Sequence, residues 1–298
     1  MPDAKLAVSK MTVYTVDDQP IYVHEESAEK KQLALLIHGW SSSWYAISPI
    51  LPIVNRRYRC LAVDLPGFGA SPPLKERATI DKYADLLATL IRAESERPVV
   101  LIGHSMGGMI SVTLTLRYPE LVERMVLLCP TISGNLSMFI HMFMYPFVWM
   151  ERFGPTRKLV ELLEPQMLNV TDHLLRPALF ADRSGITGDE YARIRADARR
   201  PGQGRVRAEC FDAMRNHDLR DQLGEIKTPA LVVWGMEDNT VPLRDASAVA
   251  TGWPDADLRV IPNAGHWPQF ETPMVTERYV RAFLRTPMNL LSFMSKDK

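Results

Sequence analysis

Short, mainly apolar runs recur along the chain at Leu33 to Ile37, Arg59 to Val63, Val99 to Ile102, Met125 to Leu128, Ala230 to Trp234 and Leu258 to Ile261. Each stops at or just before a turn-forming residue such as Gly103, Asp64 or Pro130. Runs of this length without a polar face predict strands buried on both sides. Met11 to Val16 and Ile21 to His24 are β-prone and flank Asp17-Asp18-Gln19-Pro20, which predicts a hairpin. Between the later strands the period changes. Ile80, Tyr83, Ala84, Leu87, Leu90 and Ile91 repeat near 3.6 residues and predict a helix over 80–93. Gly107 to Tyr118 and Pro273 to Leu284 read as helices too. Buried strands alternating with helices predict an α/β fold: an eight-stranded, mostly parallel sheet with helices on both faces.

The alternation fails between Thr131 and Asp218, where helical periodicity persists without a convincing strand. Pro146, Pro155, Pro165, Pro177 and Pro201 cut this stretch into short helices. The predicted organisation is a core of residues 1–130 and 219–298 with an inserted helical cap at 131–218 over the functional edge of the sheet. Within the insertion, Leu136 to Met150 is almost wholly apolar, with four methionines and five aromatics. Packing on the core explains such a stretch, and so does an adaptable pocket wall carrying Phe139, Phe143 and Phe147. It falls short of the roughly 18 apolar residues of a spanning helix, so no stable membrane insertion is expected. The tail from Pro287 reads as an extra helical turn or a frayed end.

Lys+Arg and Asp+Glu both number 35, so no net charge suggests a nucleic-acid partner. The N-terminal stretch alternates and lacks the apolar core of a signal peptide. Cys60, Cys129 and Cys210 show no metal-ligand spacing and read as buried reduced thiols, which fits a cytoplasmic location. Neither a metal nor a cofactor is expected.

The chemistry concentrates at the ends of the predicted strands. Gly103-His104-Ser105-Met106-Gly107 follows one strand directly and opens a helix. A nucleophile on so tight a turn needs glycine neighbours, and the helix N-terminus favours developing negative charge. Serine alone is a weak nucleophile and needs a base oriented by a carboxylate. Glu237 and Asp238 both follow the Ala230 to Trp234 strand; Asp238 is taken as the acid and Glu237 as a solvated loop residue. His266 follows the last strand and precedes the final helix, which completes the order Ser105, Asp238, His266. The oxyanion hole is expected from the backbone N–H groups of Met106 and Trp40, each such donor being worth about 2.7–4 kcal/mol in the transition state. His104 packs beside the elbow, where its ring could tune the site or touch substrate. Asp64-Leu65-Pro66-Gly67-Phe68-Gly69 lacks the ending of a phosphate loop and reads as a structural turn.

His38-Gly39-Trp40, Asp64 to Ser71, Gly103 to Gly108, Trp234-Gly235 with Asp238, and Gly265-His266 together resemble the α/β-hydrolase superfamily from about Met11 to Leu284. Within it the chain is similar to small serine esterases, cofactor-free haloperoxidase-like enzymes and meta-cleavage-product C–C hydrolases. Epoxide hydrolases and haloalkane dehalogenases are similar too, but use Asp where this chain has Ser105. Gly265 to Glu271 resembles the C–C hydrolases, which implies that Trp267 lines the substrate site; those enzymes usually carry Asn where this chain has His104. The resemblance implies hydrolysis of a carboxylic ester of an apolar acyl or aromatic substrate. Its alternatives are C–C cleavage, with Arg176, Arg183 or Arg193 holding a carboxylate, and a slow receptor-like hydrolase. A homodimer is compatible with such a chain.

Overall fold

The computed structural model describes residues 10–138, 140–142, 145, 150, 180, 181, 186–198, 200 and 202–294. Eight strands form one sheet: β1 (Lys10–Val16), β2 (Gln19–Glu26), β3 (Leu33–Ile37), β4 (Arg59–Val63), β5 (Val99–His104), β6 (Val122–Leu128), β7 (Ala230–Gly235) and β8 (Ala256–Ile261). Their spatial order is β1-β2-β4-β3-β5-β6-β7-β8. β1 and β2 are antiparallel, as are β2 and β4, and every later pair is parallel. The hairpin turns on Asp17 and Asp18, whose φ angles of 48° and 61° give the twist a two-residue turn needs between antiparallel strands.

The central strands are buried on both faces because successive side chains alternate. Leu35, Ile37, Leu61, Val63 and Leu101 face α2 (Ile80–Glu94) and α3 (Met106–Arg117) in the larger core. Ala34, Leu36, Cys60, Ala62, Val100 and Ile102 face the other way, toward α1 (Leu51–Val54) and the late helix that carries Val280, Phe283 and Leu284. Helix α2 starts where Thr79 accepts the Lys82 N–H, a side-chain cap on an otherwise orphaned donor.

The strand order reverses at β3. From β3 the chain moves one way to β4, and from β5 the other way to β6 and β7. Loops leaving the carboxyl ends of β3 and β5 therefore diverge and leave a crevice, the usual place for a site in such sheets.

After β6 the chain departs on the insertion and returns beside its exit. The Leu219 N–H donates to the Ile132 carbonyl at 3.0 Å. Buried Asp245 accepts the N–H groups of Ile132 and Ser133 at 3.0 and 2.9 Å. Two helices of the insertion are described, α4 (Gly188–Ala198) and α5 (Gly204–Arg215). Val206, Cys210, Phe211 and Met214 of α5 join the larger core, while Ile194 of α4 packs with Phe180, Ala46, Trp267 and Phe270. Beyond the insertion come α6 (Leu243–Gly252), α7 (Pro268–Glu271), α8 (Pro273–Arg285) and α9 (Met288–Met294). The tail is thus a two-turn helix where the sequence left a turn or a frayed end. No helix among the described residues is long and apolar enough to cross a membrane.

Candidate active site

Ser105 caps α3 with φ 54° and ψ −118°, a backbone region costly for any residue with a side chain. The surroundings impose it. A Cβ on Gly107 would lie 2.2 Å from the Ile37 carbonyl oxygen, and one on Gly103 would lie 2.5 Å from that of Gly107. The Ser105 N–H donates to the Leu128 carbonyl at 3.0 Å, and its own carbonyl accepts from Gly108 and Met109. Strand, turn and helix are thereby locked, with the serine on the crevice side of the carboxyl edge.

Asp238 and His266 occupy loops at the same edge, after β7 and β8. His266 Nδ1 lies 2.8 Å from Asp238 Oδ2, and both side chains are almost wholly buried. Asp238 Oδ1 accepts the N–H groups of Thr240 and Val241 at 2.8 and 2.9 Å. With its acceptors so engaged, the carboxylate fixes the proton of His266 on Nδ1 and leaves the lone pair on Nε2. Among the described residues Ser105 Oγ makes no hydrogen bond, which is common before substrate tightens a catalytic set. Glu237 is exposed, as a solvated loop residue should be, but its carboxylate also accepts the Ala264 N–H at 3.1 Å.

Across the crevice, a Cβ on Gly39 would stand 3.0 Å from Ser105 Cβ. A side chain there would crowd Ser105 and His104, so glycine suits the loop after β3 at this approach. Among the described residues, neither the Trp40 nor the Met106 backbone N–H has an acceptor. The Trp40 indole N–H donates to the Arg207 carbonyl at 2.9 Å, which ties this loop to α5. His38 anchors the loop from behind. Its Nε2 accepts the Leu65 N–H at 3.0 Å, so Nδ1 carries the proton and donates to the Gly39 carbonyl at 2.7 Å. Burial pulls the His38 pKa down to about 4. Asp64 accepts the Trp44 and Ala70 N–H groups, each at 2.8 Å, and burial pushes its pKa up to about 6. The Asp64 loop is the structural turn that the sequence suggested.

His104 is buried beside the serine. Its Nε2 donates to the His266 carbonyl at 2.9 Å, and its ring lies 4.6 Å from that of Trp267. Burial holds it neutral, well below the usual histidine range. Trp267 stacks on Phe180 of the insertion at 6.0 Å. Phe139, Phe143, Phe147, Arg176 and Arg183 lie outside the described residues. Arg193 of α4 lies 5.5 Å over the Tyr45 ring.

Cys129, Asp238 and His266 bring potential metal ligands within 4.8 Å of one another. Their chemistry is not that of a metal centre. The imidazole and carboxylate atoms face each other, and burial with the nearby Asp238 charge keeps the Cys129 thiol protonated.

Sequence reasoning passed over Glu271. Its carboxylate accepts the N–H groups of Gly265 and Trp267 at 3.0 Å and that of Ala181 at 2.7 Å. The signal was a single acid within the buried stretch from Ala264 to Glu271.

A family model for the alpha/beta hydrolase fold matches residues 34–273. The hydrolase YugF of Bacillus subtilis is 28% identical over 94% of this chain and 99% of its own length. The 2-hydroxy-6-oxononadienedioate/2-hydroxy-6-oxononatrienedioate hydrolase of Burkholderia vietnamiensis is 29% identical over 94% of this chain and 96% of its own. Among solved structures, a thermophilic esterase from Thermogutta terrifontis superposes with a TM-score of 0.76 at 22% identity, covering 93% of this chain and 98% of that one.

Proposed function

Because the chain belongs to the α/β hydrolase fold family, we propose that it is a serine hydrolase cleaving carboxylic esters of apolar acyl or aromatic substrates. The observation that carries this reading is the strained Ser105 at the start of α3, with the buried Asp238–His266 pair at the same edge of the sheet. Ser105 Oγ attacks the ester carbonyl carbon as His266 Nε2 takes its proton. Asp238 keeps the ring in that tautomer and stabilises the imidazolium. The N–H groups of Trp40 and Met106 hold the developing oxyanion. Collapse of the tetrahedral intermediate expels the alkoxide, which takes the proton from His266 and leaves an acyl group on Ser105. Water, deprotonated by His266, then adds to the acyl carbon; collapse breaks the bond to Ser105 Oγ, which takes the proton back from His266 as the acid leaves.

The insertion at 131–218 is proposed as a cap over this edge. The neck between Ile132 and Leu219 and the packing of Phe180 on Trp267 support that division. The buried Phe180 and Trp267 at this contact favour apolar acyl groups over charged ones.

Hydrolysis of a p-nitrophenyl ester series from acetate to long acyl chains, wild type beside Ser105→Ala, tests the reading. Turnover that disappears in the variant, together with loss of fluorophosphonate labelling, is the expected result. Turnover or labelling that persists places the nucleophile elsewhere. A second reading, C–C bond hydrolysis, is favoured by the similarity to the Burkholderia vietnamiensis enzyme. Cleavage of a ring-fission dienoate without ester turnover would select it.

A further inference from the structure

His266 is held by more than its side chain. Its carbonyl accepts His104 Nε2 at 2.9 Å. The amides on either side, those of Gly265 and Trp267, both donate to the Glu271 carboxylate at 3.0 Å. Glu271 reaches back because Phe270 and Glu271 fold onto the Trp267 carbonyl at 2.9 Å, forming the single turn of α7. The same carboxylate accepts one more amide, that of Ala181, which belongs to the insertion and lies 90 residues away along the chain. Beside this contact Phe180 stacks on Trp267.

We infer that Glu271 is a positioning residue that couples the seating of the insertion at Ala181 to the backbone register of His266. The inference rests on His266 acting as the base. Backbone N–H groups can only donate, and a carboxylate has acceptor capacity for all three. When the amide of Ala181 withdraws, the carboxylate loses one of the contacts that orient it. The two that flank His266 then share an anchor held by fewer contacts. The amide of Ala181 seated on Glu271 thus keeps the histidine well placed, and its withdrawal loosens it.

Glu271→Gln keeps one acceptor oxygen and turns an amino group toward the backbone donors. Ala181→Pro removes the donor from the insertion and also fixes φ at 181, so its melting curve is read beside its kinetics. The experiment measures kcat and KM for a p-nitrophenyl ester in wild type, each variant and the double variant, with melting curves for all four. The His266 Nδ1–H resonance in 15N-histidine-labelled protein is recorded alongside.

Glu271→Gln should lower kcat by about 10–100-fold, the scale of a small misplacement of a reacting group. KM should stay near wild type, and the His266 resonance should broaden or vanish. Ala181→Pro should act in the same direction. The double variant should be no slower than Glu271→Gln alone, since both changes break one device. A wild-type kcat in Glu271→Gln overturns the positioning role. Losses that multiply in the double variant overturn the coupling. If the wild type hydrolyses no ester, the serine-esterase reading fails while the resonance still decides this one. An unchanged signal in Glu271→Gln overturns it, and a lost signal with melting preserved supports it.

Discussion

At Asp238 each carboxylate oxygen has a different duty. Oδ1 takes two backbone N–H groups, from Thr240 and Val241, and Oδ2 faces His266 Nδ1. Asp238→Asn cannot keep both. The two backbone donors demand an acceptor, so the amide oxygen turns to them and the amino group faces the histidine. Nδ1 must then accept, the ring proton moves to Nε2, and Nε2 no longer works as a base. The expected loss in kcat is on the order of 10⁴-fold, the scale of tautomer reversal in such triads. The melting temperature should move little, because the shape and the backbone contacts survive. Ester kinetics beside a melting curve check this, and a variant within tenfold of wild type would mean that another acid orients His266.

The elements around the site carry buried titratable groups of opposite tendency. The His38 pKa falls from 6.5 to about 4, so the folded chain holds the ring neutral where the unfolded chain would protonate it. Its contribution to stability is complete above about pH 6.5 and is lost as pH falls toward 4, a span of roughly 3 kcal/mol. His104, also depressed by burial, acts in the same sense. Asp64 is raised from 3.8 to about 6 and acts oppositely: its contribution is complete below about pH 3.8 and fades as pH rises through 6. His38→Gln should therefore cost more stability at neutral pH than near pH 4, a difference of roughly 2–3 kcal/mol. Urea denaturation at the two pH values reads it, and equal costs at both would mean that the ring is not held neutral. The strands of this framework were legible in the sequence because burial on both faces writes itself as continuous apolar runs. Of the candidate site, the strained turn at Ser105 was legible because a tight strand-to-helix turn needs glycine neighbours, and the contact between Asp238 and His266 because each follows a late apolar run. The order β4-β3-β5, which opens the crevice, is a tertiary pairing with no local trace. Glu271 escaped because the partners described for it are backbone amides, two of them local and one contributed by the insertion. The helix Leu243–Gly252 was passed over because its burial rests on few residues, Ala246 and Val249 among them.

At the scale of the whole molecule the three thiols report on how the insertion and the sheet unfold. Cys60 lies in β4, Cys129 just beyond β6, and Cys210 on α5 within the insertion; all three are free and buried. Burial pushes the Cys210 thiol up to about 12 and raises the other two as well, so the reactive thiolate is scarce in the native state. Alkylation must then wait for an opening of the structure. Cys210 touches the Tyr83 hydroxyl of α2 at 3.5 Å, and its helix belongs to the same core as β3, β5 and α3. Pulling α5 away would expose the apolar face of α2 as well as its own, so its opening shares the cost of opening the sheet. All three thiols should therefore react in one cooperative step. That step should be at least about 10³-fold slower than in the urea-unfolded chain, with one common dependence on urea. Mass spectrometry of the alkylated peptides across a urea series resolves the three sites. If Cys210 reacted ahead of the others with a shallower urea dependence, α5 would open with the insertion as a unit of its own, and the core would end where the chain leaves the sheet at Ile132.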